Sequence, residues 1–360
     1  MTRAIRVLPV LILALWVAPP VRAAAPCSVP GTHATIQAAI DDSSCNPIDV
    51  AAGTFDENIE LGRSVEIIGA GTGSTIIDGT GGPVVGTSGP TAHTFTLRNL
   101  TVTGGGSGGP DGGGFQVEEA AHTLVLTDVA VRGNSGATNG GGLALLDGST
   151  LVMTGGEIAD NMATSFAGGF ESLGGGDVTL TGVRIAGNTA PSVGAFYTEV
   201  GSLAVHGGSI DGNEATTDIA AFYAFNVVDV TMTDSTIRNN TAPSGYSSQI
   251  ATDTLTVRDL LVDGNSAGSG GLGVYAETSA NIESSAFVNN TASEASGGGL
   301  SLSASGGTIP LDVSNSTISG NRARGNGGGV AVENGVFTGT NLTITNNTAD
   351  DDADGAGSGG

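Results

Sequence analysis

Carboxylates are the abundant groups in this chain that could do chemistry: Asp and Glu number 35 against 11 Lys and Arg, and all 11 are arginine. Near the C-terminus, Asp350, Asp352 and Asp354 followed by Gly355 read like the start of a calcium loop, in which alternate carboxylates converge on one ion. The position that should add the bidentate carboxylate falls beyond Gly360. Calcium is therefore the one cofactor the sequence suggests, and it is not a firm one. A polysaccharide lyase would also want a base beside the acids, and Arg322 and Arg324, one repeat earlier, are the candidates nearest that loop. A glycoside hydrolase needs two facing carboxyls instead. Glu118, Glu119, Glu171, Asp177, Glu199, Asp211, Asp218, Asp229 and Asp234 are scattered. The repeat could bring Glu171 and Glu199 close, but the scatter reads as an ordinary acidic face. His33, His93, His122 and His206 lack metal-ligand spacing, and no Ser-His-Asp arrangement can be argued. The glycines from Gly69 to Gly73 precede a strand rather than a helix, which argues against phosphate binding. No catalytic residue is identified at this level.

The elements that carry these residues follow from one repeat. Asn134, Asn161, Asn188, Asn213, Asn240, Asn265, Asn290, Asn321 and Asn347 each stand three places after an apolar residue, spaced 27, 27, 25, 27, 25, 25, 31 and 26 residues apart. A fixed period in this range marks stacked supersecondary units. Within one unit Leu143-Ala144-Leu145, Leu151 to Thr154 and Glu157-Ile158-Ala159 are short runs bounded by turn residues, so they predict three strands and leave no room for a helix. Such units describe a parallel β-helix. Asn tolerates the left-handed backbone of a sharp turn, and one Asn per rung can form a ladder of bonded amides. Ser or Thr and then Ala often follow, so the Asn-x-Ser/Thr matches are a by-product of the repeat. Leu143, Phe170, Phe196, Phe222, Leu272, Leu300 and Val330, each closing a glycine-rich stretch, predict an inward stack. Side chains alternate across a strand, so Tyr197 and Tyr223 should face outward, where a stacked pair could seat a sugar ring.

A net charge of −24 argues against nucleic acid as a partner, and against a polyanionic sugar unless calcium bridges the two. Arg3 and Arg6, the apolar run from Val7 to Ala18, and Ala23-Ala24-Ala25 read as a signal peptide over residues 1–25. The run is short for a membrane span, and no second one follows. Cys27 and Cys45, an even count in an exported chain, predict one disulfide closing a loop of about 19 residues and worth roughly 3 kcal/mol. Between them Thr35 to Ile40 reads as one or two helical turns, so residues 26–47 form a disulfide-stapled N-terminal cap over an otherwise open sheet edge. Residues 48–360 are the β-helix, of roughly eleven to twelve rungs and about 55 Å at about 4.8 Å per rung. The chain stops where another strand should begin, which reads as a truncated C-terminal end, with a missing C-terminal domain as one possibility; otherwise a partner or a second copy would have to cover the open edge.

The segment ATIQAAIDDSSCNPIDVAAGTFDENIELGRSVEIIGAGTGSTIIDG resembles the cap and first coils of secreted right-handed parallel β-helix proteins of the pectin-lyase-like superfamily. FVNNTASEASGGGLSL and ISGNRARGNGGGVAV resemble the repeats of polymorphic outer-membrane proteins. There Phe-x-x-Asn, matched here by Phe287 to Asn290, alternates with Gly-Gly-Ala-Ile-type motifs; here Gly-Gly-Gly-Leu or Gly-Gly-Gly-Val stands in for these. The resemblance implies an all-β fold and export to the extracellular space or cell surface, with outer-membrane association in the second family. The superfamily mixes lyases, hydrolases, esterases, epimerases and non-catalytic surface proteins. With no convergent catalytic group in view, the expectation is a non-catalytic display face for adhesion or for contact with a polysaccharide or cell-surface glycan. The alternative is a carbohydrate-active enzyme, a lyase or a hydrolase.

Overall fold

The computed structural model describes residues 27–106, 111–350 and 358–359. The proposed signal peptide lies outside them, as do Asp352 and Asp354. The described chain is a right-handed parallel β-helix with one short helix, and the pairings between named strands are all parallel. In one coil the strands are Leu143–Leu145, Thr150–Thr154, Glu157–Ala159 and Met162–Phe166. The first three were expected. The fourth lies just beyond the asparagine, and its equivalents are Thr189–Ala190, Glu214–Ala215 and Thr291–Ala292. The recurring Thr-Ala after the asparagine is thus a strand of its own, paired in a separate narrow sheet.

The ladder runs through all nine asparagines, with one correction to its backbone. The left-handed residue is the one before the asparagine: Gly133, Asp160, Gly187, Gly212, Asn239, Gly264, Asn289, Gly320 and Asn346 all have φ between 54° and 69°. That turn lets the next side chain enter the core. At Asn213, Nδ2 donates to Asn240 Oδ1 at 2.9 Å and to the Ile185 carbonyl at 3.1 Å. Its Oδ1 in turn accepts from both the backbone N–H and the Nδ2 of Asn188, at 3.0 and 2.9 Å. Every hydrogen-bonding site of the buried amide is filled. The glycines after the fourth strand answer to crowding more than to turns. A Cβ at Gly142 would lie 2.6 Å from the Gly169 carbonyl oxygen and 2.9 Å from Asn161 Nδ2, so only glycine lets neighbouring coils close there.

The inward stack is as expected. Phe115, Leu143, Phe170, Phe196 and Phe222 are register partners, and the Phe170, Phe196 and Phe222 rings lie nearly parallel at 4.6 and 4.8 Å. Between Phe222 and Leu272 stands a coil the sequence pattern skipped, whose buried inward residue is Ser248. In the last coil Val332 and Ile344, register partners of the buried Leu302 and Ile318, are exposed.

The cap forms around the disulfide Cys27–Cys45, with a Cα–Cα distance of 5.4 Å. Cys27–Val29 is the first strand of the main sheet, paired with Ile48–Val50. The helix Ile36–Asp41 follows, with Thr35 as its N-cap. Two side chains from the next coil hold its ends. The Glu57 carboxylate accepts from the N–H groups of Ile36 and Gln37 at 2.8 and 3.1 Å. Arg63 donates to the carbonyls of Ile40, Ala39, Asp42 and Cys45 at 2.8, 3.4, 2.9 and 2.7 Å. Opposite charges thus meet opposite helix ends. Arg63→Met should therefore lower stability by about 2 kcal/mol, read as an earlier unfolding transition in denaturant. An unchanged midpoint would mean that water replaces the guanidinium freely. No described helix is long and apolar enough to cross a membrane.

Candidate functional site

Two outward rows run along the face made by the first strand of each coil. Register aligns Ala144, Glu171, Tyr197, Tyr223, Gln249 and Gly273 in one row. Two residues along each strand, Glu199, Phe225, Ala251 and Tyr275 form the second. All four tyrosines of the chain, Tyr197, Tyr223, Tyr246 and Tyr275, gather on or beside this face. Strand alternation makes Tyr197 and Tyr223 outward, as expected. They are not a stacked pair, however: the rings meet edge-on, 5.6 Å apart and 64° between planes. Phe166, at the end of a fourth strand, meets Tyr197 edge-on at 4.8 Å, and Tyr223 lies 5.3 Å from Phe225. The Tyr246 ring fills the space over Gly273, where an added Cβ would lie 2.9 Å from it.

Glu171 is set within this aromatic surround. It is 4% exposed, and no hydrogen bond or ion pair to its carboxyl is present among the described residues. Burial, and then the negative charges of Asp111 and Glu199, push its pKa up to about 7 from 4.5. Asp111 is held by Asn139 Nδ2 at 2.8 Å. The Tyr197 hydroxyl donates to Glu199 Oε1, and burial followed by that carboxylate raises the tyrosine well above its ordinary value. Desolvation likewise raises Asp218, whose charge acts on Tyr223. The repeat therefore does bring Glu171 and Glu199 together. The pair departs from an ordinary acidic face, because Glu171 is buried with its pKa raised and Glu199 is only half-buried. Phe166, Tyr246, Tyr275, Phe225, Asp111 and Asp218 were not anticipated as partners. The confinement of every tyrosine to the stretch 197–275 was the signal available.

The inner side of these coils is unusual too. The buried side-chain atoms without a hydrogen-bond partner among the described residues are the hydroxyls of Ser172, Thr198, Ser247 and Ser248. Ser172 and Thr198 are register partners directly behind the Glu171–Tyr197 step. Each such hydroxyl costs on the order of 1–3 kcal/mol, and the cost is concentrated where the site is.

The raised Glu171 has a consequence for stability. Its folded pKa lies above its unfolded one, so the fold binds the extra proton. Stability is fully present below about 4.5 and is lost as pH rises through about 7. Glu171→Gln should therefore raise the unfolding midpoint at about pH 8 relative to wild type and leave it nearly unchanged at about pH 4. Equal shifts at both would show that the carboxyl is not buried.

Asp350 donates its backbone N–H to the Gly325 carbonyl at 3.3 Å, while Asp352 and Asp354 lie outside the described residues. Arg322 is in the narrow fourth-strand sheet, paired with Thr291. Cys45 Sγ is 3.9 Å from His33 Nε2, but both cysteines are in the disulfide and their sulfurs offer no thiolate to a metal. His122 is buried with its ring 6.0 Å from His93, and its Nδ1 faces the His93 N–H at 3.1 Å.

A family model described as a right handed beta helix region matches residues 113–287. No curated protein sequence matches the chain. Among solved structures the chain is similar to the A-module of the Azotobacter vinelandii mannuronan C-5 epimerase AlgE4, with 18% identity, a TM-score of 0.44, and coverage of 86% of this chain and 92% of that one. It is similar to the catalytic domain of a GH87 alpha-1,3-glucanase, at 14% identity and a TM-score of 0.41, covering 92% and 67% respectively. For an alginate lyase from Paenibacillus sp. the values are 12%, 0.33, and 87% and 95%.

Proposed function

We propose that the protein is a carbohydrate-active enzyme of the hydrolase type, with Glu171 as general acid and Glu199 as the second carboxylate. The observation that carries this is the pairing of two unlike carboxyls: a buried one whose pKa is pushed up to about 7, beside one that accepts a hydrogen bond from a tyrosine hydroxyl. Two carboxyls in unlike surroundings can divide the labour of glycosidic cleavage. Glu171 would give its proton to the leaving glycosidic oxygen as the bond to the anomeric carbon breaks. Glu199 would accept the proton of the water that attacks that carbon, or attack it first and be released by water. Tyr197 is a positioning residue: its O–H fixes Glu199, and it is the register partner of Glu171 in the next coil.

A lyase fits less well, because no arginine lies in either outward row to serve as base or to neutralise a uronate. The non-catalytic display face expected from the sequence rested on the lack of convergent groups, and this site supplies them. Export, inferred from the leader-like N-terminus and consistent with a cysteine pair joined as a disulfide, would place the activity on extracellular or surface glycans. The test is release of new reducing ends from a broad panel of polysaccharides by the purified chain. Release of unsaturated ends would make it a lyase, and binding without cleavage would return it to the display reading.

A further inference from the structure

The face is chemically lopsided about Glu171. Toward the N-terminus its row continues through Ala144, Gln116 and Gly86, with no aromatic side chain. Toward the C-terminus come the tyrosines, and beyond them a hollow of about 180 Å³ lined by Phe225, Asn226, Thr252, Asp253, Tyr275 and Glu277. Register explains the hollow. Phe225 and Tyr275 are two coils apart, and the coil between presents only Ala251 at that position, so a slot about one rung wide opens between two aromatic rings. The two rings are 41% and 37% exposed, unusual for large apolar side chains in this molecule. Rings with apolar faces flank the slot, and amide, hydroxyl and carboxylate groups line it.

The charge of the face restricts what can lie there. Arg98 and Arg258 belong to the second strands, and Arg132, Arg184 and Arg238 to the third. Arg63 is committed to the cap, and Arg322 is in the narrow sheet. The outward rows and the slot hold Glu171, Glu199, Asp253 and Glu277 instead. A uronate or sulfated sugar would place like charges against these acids with no cation between them.

We infer that the ligand of this face is an uncharged glycan chain, lying along the helix axis on the C-terminal side of Glu171, with one sugar ring held between Phe225 and Tyr275. The assignment rests on the hydrolase reading only for cleavage and not for binding. The aromatic rings take the C–H faces of the pyranose, and Asn226, Asp253 and Glu277 accept from its hydroxyls. The chain would be gripped over several sugars on one side of the cleaved bond and scarcely at all on the other.

Affinity electrophoresis and calorimetry with neutral glycans (α- and β-glucans, xylan, mannan) and with polygalacturonate and alginate, each with calcium and with chelator, test this. The same glycans are assayed for new reducing ends. Binding to a neutral glycan is expected, tightening with oligosaccharide length until the track is filled, and weakened about tenfold by Phe225→Ala or Tyr275→Ala. Both side chains are exposed, and an unchanged unfolding midpoint confirms that the variants are folded. Cleavage of polyuronates alone would keep the enzyme and overturn the neutral assignment. Neutral binding without cleavage would keep the assignment and overturn the hydrolase. Neutral binding indifferent to both substitutions would place the glycan elsewhere and overturn the track.

Discussion

Glu171→Gln is expected to lower the turnover of a cleaved glycan by at least about a hundredfold while leaving the chain folded. The amide matches the carboxyl in shape and has no proton to give. Glu171 sits 4% exposed without a cation, so substitution removes a group that the fold tolerates rather than one it relies on. The pH profile carries the sharper signature. With its pKa raised to about 7 by burial and by two neighbouring acids, Glu171 is the group whose deprotonation should end activity on the alkaline side. That basic limb should be absent from the residual activity of the Gln variant. Tyr197→Phe should act differently. It removes the hydrogen bond that orients Glu199 without touching the acid, so turnover should fall while the basic limb stays where it is. If Glu171→Gln retained full turnover, the acid would have to be sought elsewhere and the two-carboxyl site would fall.

Asn213→Ala should be the costliest single change in the core, at about 3 kcal/mol or more. The substitution leaves the backbone N–H and the Nδ2 of Asn188 without their acceptor, and the Ile185 carbonyl without its donor. These groups surround a fully buried position, so water cannot readily replace the lost bonds. Asn347→Ala is the control. It occupies the same place in the last coil but is only partly buried, and should cost less than about 1 kcal/mol. Hydrogen exchange read coil by coil separates the two, with protection falling around residues 188–240 in the first variant and near the C-terminal coil in the second. Similar losses would mean that coil stacking, not the amide ladder, sets stability.

Periodicity made the fold legible. An apolar residue three places before each asparagine, a small residue after it and glycines beyond are constraints imposed by neighbours one coil away, so they recur. The fourth strand was hidden because two residues, as in Thr189–Ala190, are too few to show alternation. Its Thr-Ala was visible, but not its pairing. The site was harder, because it lies where the repeat is broken: Glu171 stands where Ala144 and Gln116 stand in other coils, and no period announces it. Tyr197, its register partner, and Phe166, which meets Tyr197 edge-on, come from two different strands. The sequence places these residues near one another but does not say how their rings turn.

Each ladder amide receives from the coil before it and gives to the coil after it, so the nine form one directed chain of dipoles, from Gly105 N–H onto Asn134 to Asn321 onto Asn347. A coil excised between two asparagines would leave one acceptor facing one pair of donors, and the ladder could reclose across the cut. Length is therefore nearly free to vary in such a molecule, whereas phase is not. Removing the one whole coil between Tyr223 and Tyr275 would bring Phe225 and Tyr275 closer by one step of about 4.8 Å and close the slot. Removing half a coil would face the amides with apolar side chains. The same scaffold can thus act as a ruler, with its divisions set by the amides and its reach by the number of coils.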